Sequence, residues 1–485
     1  MESAVNDAPL QPTTTEIFAK CPQFRILVIG KSGAGKSSLI NTAFRVREDE
    51  GQASVANVKA GVHDIKNEIT CSANQQFVLH DSQGFEGGEA KNLAIVEEFL
   101  KSRGSSVDIS EQVHAVWLCL PISIAGGRLL ETGVEKFLKL KTGGKFGKMP
   151  VIAVFTKYDL LLEKANYLGS TDPGKDAEIM LRDDCIAPFK KYERKGIPYM
   201  AVSNERGHEK TLKDLIELTT DEVGKNLPEV AKIVLGVAQQ ISPKVKIESS
   251  IAVGKQKYWK SLGTSISFFG NKLKDCLDVI RVDVVTVWAI EDPCNYLCSD
   301  EFQALMIGLG GDLPDGRAES AGKAFVAGVS AAVGLGSMGP VLVPVAAALA
   351  LAKWVYDLYE QIPDILTRLM EYIVNLVLVM QLLFLVLATS KTEISNPLIK
   401  SVIEVYRDSG VKARVHTSIK QYVAESRGLS KMGRDPAFDT VDRLLKQYCG
   451  GTEISRLKDQ ILSANGLAAE PSNAIEASGS TAVTP

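Results

Sequence analysis

Phe24-Arg25-Ile26-Leu27-Val28-Ile29-Gly30-Lys31-Ser32-Gly33-Ala34-Gly35-Lys36-Ser37-Ser38 is the stretch that decides the fold. Its first six residues, apolar apart from Arg25, read as a buried strand, and 38–44 read as the start of a helix. Between them stands G-x-x-x-x-G-K-S, in the strand-to-helix setting that a phosphate loop requires. The glycines let the backbone curl so that successive N–H groups face phosphate oxygens, and the helix adds its positive dipole end. Lys36 is then placed to neutralise β- and γ-phosphates, and the Ser37 hydroxyl to ligate Mg²⁺. A turn that only packs a strand on a helix accounts for the glycines but not for Lys36 beside Ser37. The phosphate-binding residues are therefore Gly30, Lys31, Ser32, Gly33, Ala34, Gly35, Lys36, Ser37 and Ser38.

Outward from this stretch, apolar runs at 77–80, 113–120, 151–155 and 199–202 alternate with amphipathic segments at 90–101 and 129–140. Short buried runs with helical crossovers predict a doubly wound, mostly parallel α/β domain. Asp81-Ser82-Gln83-Gly84 follows one run: Asp81 can hold Mg²⁺ through water, and Gly84 can bring its N–H to a γ-phosphate. Thr156-Lys157-Tyr158-Asp159 follows another. A carboxylate at Asp159 accepts from N1–H and the exocyclic amine of guanine, whereas adenine leaves it unpaired. The Lys157 stem can lie along the purine face. Ser203 and Asn204, after the last run, are placed where a loop can close on the guanine edge.

The order G-x-x-x-x-G-K-S, D-x-x-G, T-K-x-D and S-N resembles the translation-factor-related class of GTPases, in the Era, HSR1-related, septin and AIG1-like neighbourhood. The wording of Val62-His63-Asp64-Ile65 and of His80-Asp81-Ser82-Gln83-Gly84-Phe85-Glu86 looks like the large G-domain proteins of filamentous fungi. The resemblance covers about the first 200 residues and implies GTP/GDP and Mg²⁺ as cofactors. It also implies attack of water on the γ-phosphate, with Lys36 and Gly84 as catalytic groups.

Two departures from that pattern bear on rate. Phe85 stands where Ras-type enzymes carry the Gln that orients water, so slow intrinsic turnover is expected, accelerated by self-association through the G domain or by a partner. The place of the first-switch Thr falls near 62–64, where there is none; Ser54 is the nearest upstream hydroxyl, Thr70 belongs to a strand over 65–71, and His63 and Asp64 are the local polar groups. Gln83 and Glu86 are nearby polar candidates for positioning the water, and each reads better as solvent-facing or structural.

The chain of 485 residues has net charge -3, with 55 Lys+Arg against 58 Asp+Glu, and so lacks the basic field that holds nucleic acid. Its eight cysteines are scattered, which suits reduced thiols in the cytoplasm. By composition and period the chain divides into a disordered leader 1–21, a G domain 22–220, a helical region 221–300, a loop or linker 301–322, an apolar helical hairpin 323–392, a helical region 393–465 and a disordered tail 466–485. The segments 324–352 and 372–390 carry no charge. Each is about long enough to span a bilayer, and each equally suits the core of a helical domain. Three functional readings stand: a slowly hydrolysing nucleotide switch, a scaffold that binds GTP without hydrolysis, and a membrane-associated tethering or remodelling GTPase.

Overall fold

The computed structural model describes residues 11–45, 65–82, 85, 89–105, 107–122, 129–205, 207–257, 273–310, 363–426 and 436–467. The described residues form two compact units, 11–290 and the pair of segments 291–310 and 363–467.

In the first unit six strands form one sheet: β1 Phe24–Ile29, β2 Ile69–Cys71, β3 Asn74–Ser82, β4 Ala115–Pro121, β5 Val151–Thr156 and β6 Tyr199–Ala201. Their order is β2-β3-β1-β4-β5-β6, with only β2 antiparallel to its neighbour. All six residues of β1 and of β5 are buried, as expected of parallel strands covered on both faces. From β1 the chain crosses to β3 on one side and later to β4 on the other, which opens a crevice at the C-terminal end of β1. That is where Gly30 begins the phosphate loop.

Helices α1 Thr13–Lys20, α2 Lys36–Phe44, α3 Glu89–Ser102, α4 Thr132–Thr142, α5 Asp159–Tyr167, α6 Pro173–Met180, α7 Ala187–Glu193, α8 Glu209–Asn226, α9 Glu229–Ala238, α10 Pro243–Lys257 and α11 Leu273–Trp288 complete the unit. Between α6 and α7 the residues Leu181–Ile186 form a π-helical turn. One face of the sheet shares its core with α2, α8, α9 and α10, through Val28, Leu79, Trp117, Ile216, Val234 and Val253. The opposite face packs against α3, α4 and α7, through Leu118, Phe137, Phe155 and Phe189.

Two boundaries differ from those read off composition. The core does not close at 220 but runs on through α9, α10 and α11 to Val287. Part of the expected disordered leader is helix α1, whose Ile17 is buried. Pro12 offers this helix no side-chain cap, so the free N–H groups of Thr13 and Thr14 take the carboxylate of Asp283 instead, at 3.0 and 2.8 Å. That partner lies 270 residues along the chain, beyond any local pattern.

The second unit is helical: α12 Asp300–Gly308, α13 Pro363–Ser390, α14 Asn396–Arg407, α15 Gly410–Ser426, α16 Pro436–Tyr448 and α17 Thr452–Ala464. α12 occupies the start of the expected linker. Its N-cap Ser299 accepts from the N–H of Phe302 at 3.1 Å. α13 is a single helix with α14, α15, α16 and α17 packed on it. The other half of the expected apolar hairpin, 324–352, lies outside the described residues.

Candidate functional site

The phosphate loop leaves β1 and re-enters helix at Lys36. Gly33 and Gly35 sit at φ +71° and +78°, conformations that turn the loop back on itself and that side chains disfavour. Lys36 Nζ donates to the carbonyls of Gly30 at 2.8 Å and Lys31 at 3.2 Å, so the ammonium arches over the loop it belongs to. Ser32, Gly33, Ser37 and Ser38 are exposed, and Ala34 is buried beneath them. Lys31 pairs with Glu131 at 3.7 Å, just before α4. Under the loop the Cys119 thiol is pushed up to about 12 by burial, with Lys36 opposing weakly, so it stays protonated.

The guanine motif is tied directly to this loop. Thr156 Oγ1 donates to the Ala34 carbonyl at 2.8 Å, a buried bond between positions 122 residues apart. Lys157 follows in a left-handed conformation at φ +63°, which lifts its exposed side chain off the end of β5. Ser203 Oγ donates to Asp159 Oδ1 at 2.6 Å and accepts from the Glu205 N–H at 3.0 Å. The T-K-x-D and S-N segments, separate in sequence, thus meet at one point, and Asn204 stands exposed beside them.

Asp81 lies opposite Val28 in the register of β3 on β1, which puts its carboxylate one strand away from the root of the phosphate loop. Asp81 and Ser37 are the two hard-oxygen side chains that the sequence assigns to Mg²⁺. Among the described residues no three His, Cys, Asp or Glu side chains gather into a cage. A phosphate-borne Mg²⁺ needs none, because it uses one or two protein oxygens. Gly84 lies outside the described residues, as do Ser54, 62–64, Gln83 and Glu86; Thr70 is the middle residue of β2.

Residues 25–157 match the family model described as 50S ribosome-binding GTPase, designated MMR_HSR1. The first unit contains a GTP-binding G domain of the HSR1-related type. Residues 296–459 match a second family, a domain of unknown function. Among solved structures, the G domain of FeoB from Methanococcus jannaschii is similar at 14% identity and TM-score 0.24, over 42% of this chain and 98% of that one. No curated protein matches.

Within the G domain Phe85 points inward. It is buried, with its ring 6.0 Å from that of Phe137 on α4. Gly133 makes the seat: a Cβ there would lie 2.5 Å from the Phe85 Cβ. Phe85 also walls a cavity of about 460 Å³ behind the phosphate loop, with Leu118, Val134 and Leu161 on its apolar side and Lys164 and Asp184 among its polar groups. A second anchor is His80, which precedes Asp81 and donates from Nδ1 to the Ile65 carbonyl at 3.0 Å. Burial holds its pKa down at about 4, so the ring is neutral at pH 7. The sequence marks neither Gly133 as a seat nor His80 as an anchor. Gly133 sits in an amphipathic helix where only its small size hints at a close approach, and His80 ends an otherwise apolar run.

Proposed function

We propose that this chain is a guanine-nucleotide switch whose G domain hydrolyses GTP slowly and passes its nucleotide state to helical elements. The observation that carries the reading is the pair of long-range bonds that assembles the site: Thr156 to Ala34, and Ser203 to Asp159. The first fixes the distance between phosphate loop and base pocket. The second joins the Asp159 carboxylate to the S-N segment, which supports a guanine pocket between them.

In this reading Lys36 and the loop N–H groups of 30–38 hold the phosphates and the charge that develops on them. Ser37 and Asp81 hold Mg²⁺, which when bound neutralises β- and γ-phosphate oxygens. Lys157 and Asp159 hold the base, with Ser203 and Asn204 closing over it, and Gly84 contacts the γ-phosphate. Phe85, seated against Gly133 and Phe137, offers no hydrogen bond to water, which supports slow turnover in the isolated chain and acceleration by self-association or a partner.

For the helix α13 of the second unit we infer the core of a helical domain rather than a bilayer span. Thr367–Ser390 is long and apolar enough to cross a membrane, and 78% of its most apolar stretch is buried within the protein. Its polar residues have protein partners: Asn375 accepts from Tyr406 Oη at 2.8 Å, and Gln381 Nε2 donates to the Cys449 carbonyl at 2.7 Å. A cytoplasmic location accords with the free thiols of Cys21, Cys71, Cys119, Cys185, Cys294, Cys298 and Cys449.

The test is to release and chromatograph the nucleotide that co-purifies with the protein, then to follow single-turnover hydrolysis at low and high protein concentration, with and without vesicles. Guanine nucleotide, with a rate that rises with protein concentration, is expected. Flat near-zero rates favour the scaffold, and stimulation by vesicles favours the membrane reading. Lys36→Ala removes a charge-assisted contact and is expected to cost about 100-fold in GTP affinity. Undiminished binding by that variant would sink the site.

A further inference from the structure

The C-terminal ends of three helices converge beneath the nucleotide site, and two buried side chains satisfy them. The last carbonyls of any helix lack intrahelical donors and carry its negative dipole end. At the end of α2, Phe44 O accepts from Asn74 Nδ2 at 2.9 Å and Ala43 O accepts from the Gln240 N–H at 2.9 Å. The second N–H of the same Asn74 amide reaches Ala238 O, at the end of α9, at 2.8 Å. One position earlier, Val237 O accepts from Lys246 Nζ at 2.8 Å, and that ammonium also reaches Val287 O near the end of α11 at 3.1 Å. Asn74 and Lys246 are both buried.

α2 is only nine residues, roughly 13 Å, from Lys36 to Phe44. Its N-terminus carries Lys36 and Ser37, and its far end turns at Arg45, φ +49°. A short stiff helix held at one end by α9 cannot shift at the other without straining those bonds. We propose that Asn74 is a positioning residue for the phosphate loop: its amide locks α2 to α9, so that the helical layer α9–α11 sets how firmly the G domain holds nucleotide. The inference rests on the guanine-nucleotide reading above and adds to it a route by which helices outside the sheet regulate the site. Lys246 extends the route to α11. The Asp283 carboxylate of α11 extends it to α1, through Thr13 and Thr14.

The experiment has two arms. In the wild-type full-length chain, hydrogen exchange is followed with and without GDP. Peptides spanning Gln239–Ser242, whose Gln240 amide is bonded to α2, are expected to slow when GDP binds, together with α2. Protection of α2 with unchanged exchange at Gln239–Ser242 overturns the proposal. In the other arm Asn74→Leu, similar in volume but without donors, is expected to release a fluorescent GDP analogue about tenfold faster than wild type. Ile233→Val, which loosens packing in α9 but leaves the Asn74 bonds in place, is expected to change that rate less than twofold. Equal rates in wild type and Asn74→Leu count against the inference while leaving nucleotide binding intact. A wild-type chain that binds no guanine nucleotide overturns the functional reading itself. If Asn74→Leu does not fold, the exchange arm decides alone.

Discussion

The sheet of the first unit and helix α13 of the second are both built from runs of uncharged residues, yet they use their polar residues in opposite ways. In the sheet each apolar run is short, and the chemistry begins where it stops: Gly30 after β1, Asp81 at the end of β3, Thr156 at the end of β5. α13 is 28 residues long and uncharged over 372–390, and the polar side chains Glu371, at the edge of that run, and Asn375 and Gln381, within it, are buried. Each makes a specific bond: Glu371 to His416 on α15, Asn375 to Tyr406 on α14, Gln381 to the carbonyl of Cys449. Length of an apolar run does not distinguish lipid from protein as its surroundings.

The most severe way to break the comparison is a charge in the middle of α13. Leu382 is fully buried, and Leu382→Lys places an unpaired ammonium among apolar neighbours, a cost above about 4 kcal/mol. The second unit is expected to lose its cooperative melt while the G domain keeps guanine-nucleotide binding. Calorimetry with and without GDP reads both at once. A variant whose second transition is unmoved shows that α13 is not packed as described.

Acidification comes next in size, and its sign differs between the units. Burial holds the His80 and His114 pKa values of the G domain down at about 4, whereas a free histidine titrates near 6.5. Between those values the unfolded chain binds protons that the folded one does not. Stability therefore rises with pH through that window, and lowering pH from 7 to 4 removes on the order of 3 kcal/mol per histidine. Glu371 in the second unit is raised above the ordinary carboxylate value by burial, against the opposing pull of His416, Lys412 and Lys420. There the folded state binds its proton more tightly, so its contribution falls as pH rises through the raised value. Denaturant midpoints measured from pH 7 to 4.5 are expected to drop for the first unit, and His80→Asn, which can still donate to Ile65, should flatten that slope.

What the sequence made legible follows from range. The phosphate loop, D-x-x-G and T-K-x-D are read from neighbours, because backbone curl and strand ends are local properties. Strands β1 and β5 fall where the apolar runs place them, and Leu273–Trp288 is helical as its period implies. The supports of the site are not local. Thr156 finds Ala34 across 122 positions, and Asn74 finds Ala238 across 164. An asparagine before an apolar run carries no mark of the two helix ends it will cap. The seat of Phe85 on Gly133 is equally silent, because a glycine in an amphipathic helix reads as a weak point until something packs against it. The polar interruptions of α13 were visible as residues, but their meaning depends on Tyr406 and Cys449, which later helices bring in.

The finest test of the comparison sets a buried polar contact of the second unit against an exposed one. Tyr406→Phe removes the hydroxyl and leaves Asn375 Oδ1 buried without that donor, which is expected to cost about 1–2 kcal/mol. Arg414 and Glu453 also make close contact, at 2.5 Å, but their side chains are 47% and 56% exposed, and both ions keep most of their water. For such a pair the attraction is screened and largely offset by lost side-chain freedom, so Glu453→Gln is expected to shift stability by less than about 0.5 kcal/mol. The distances alone would rank the two the other way. Should Glu453→Gln prove the costlier change in urea melts of the second unit, its stability resides in the surface charges of α15 and α17, and the buried polar residues of α13 have been given too large a part.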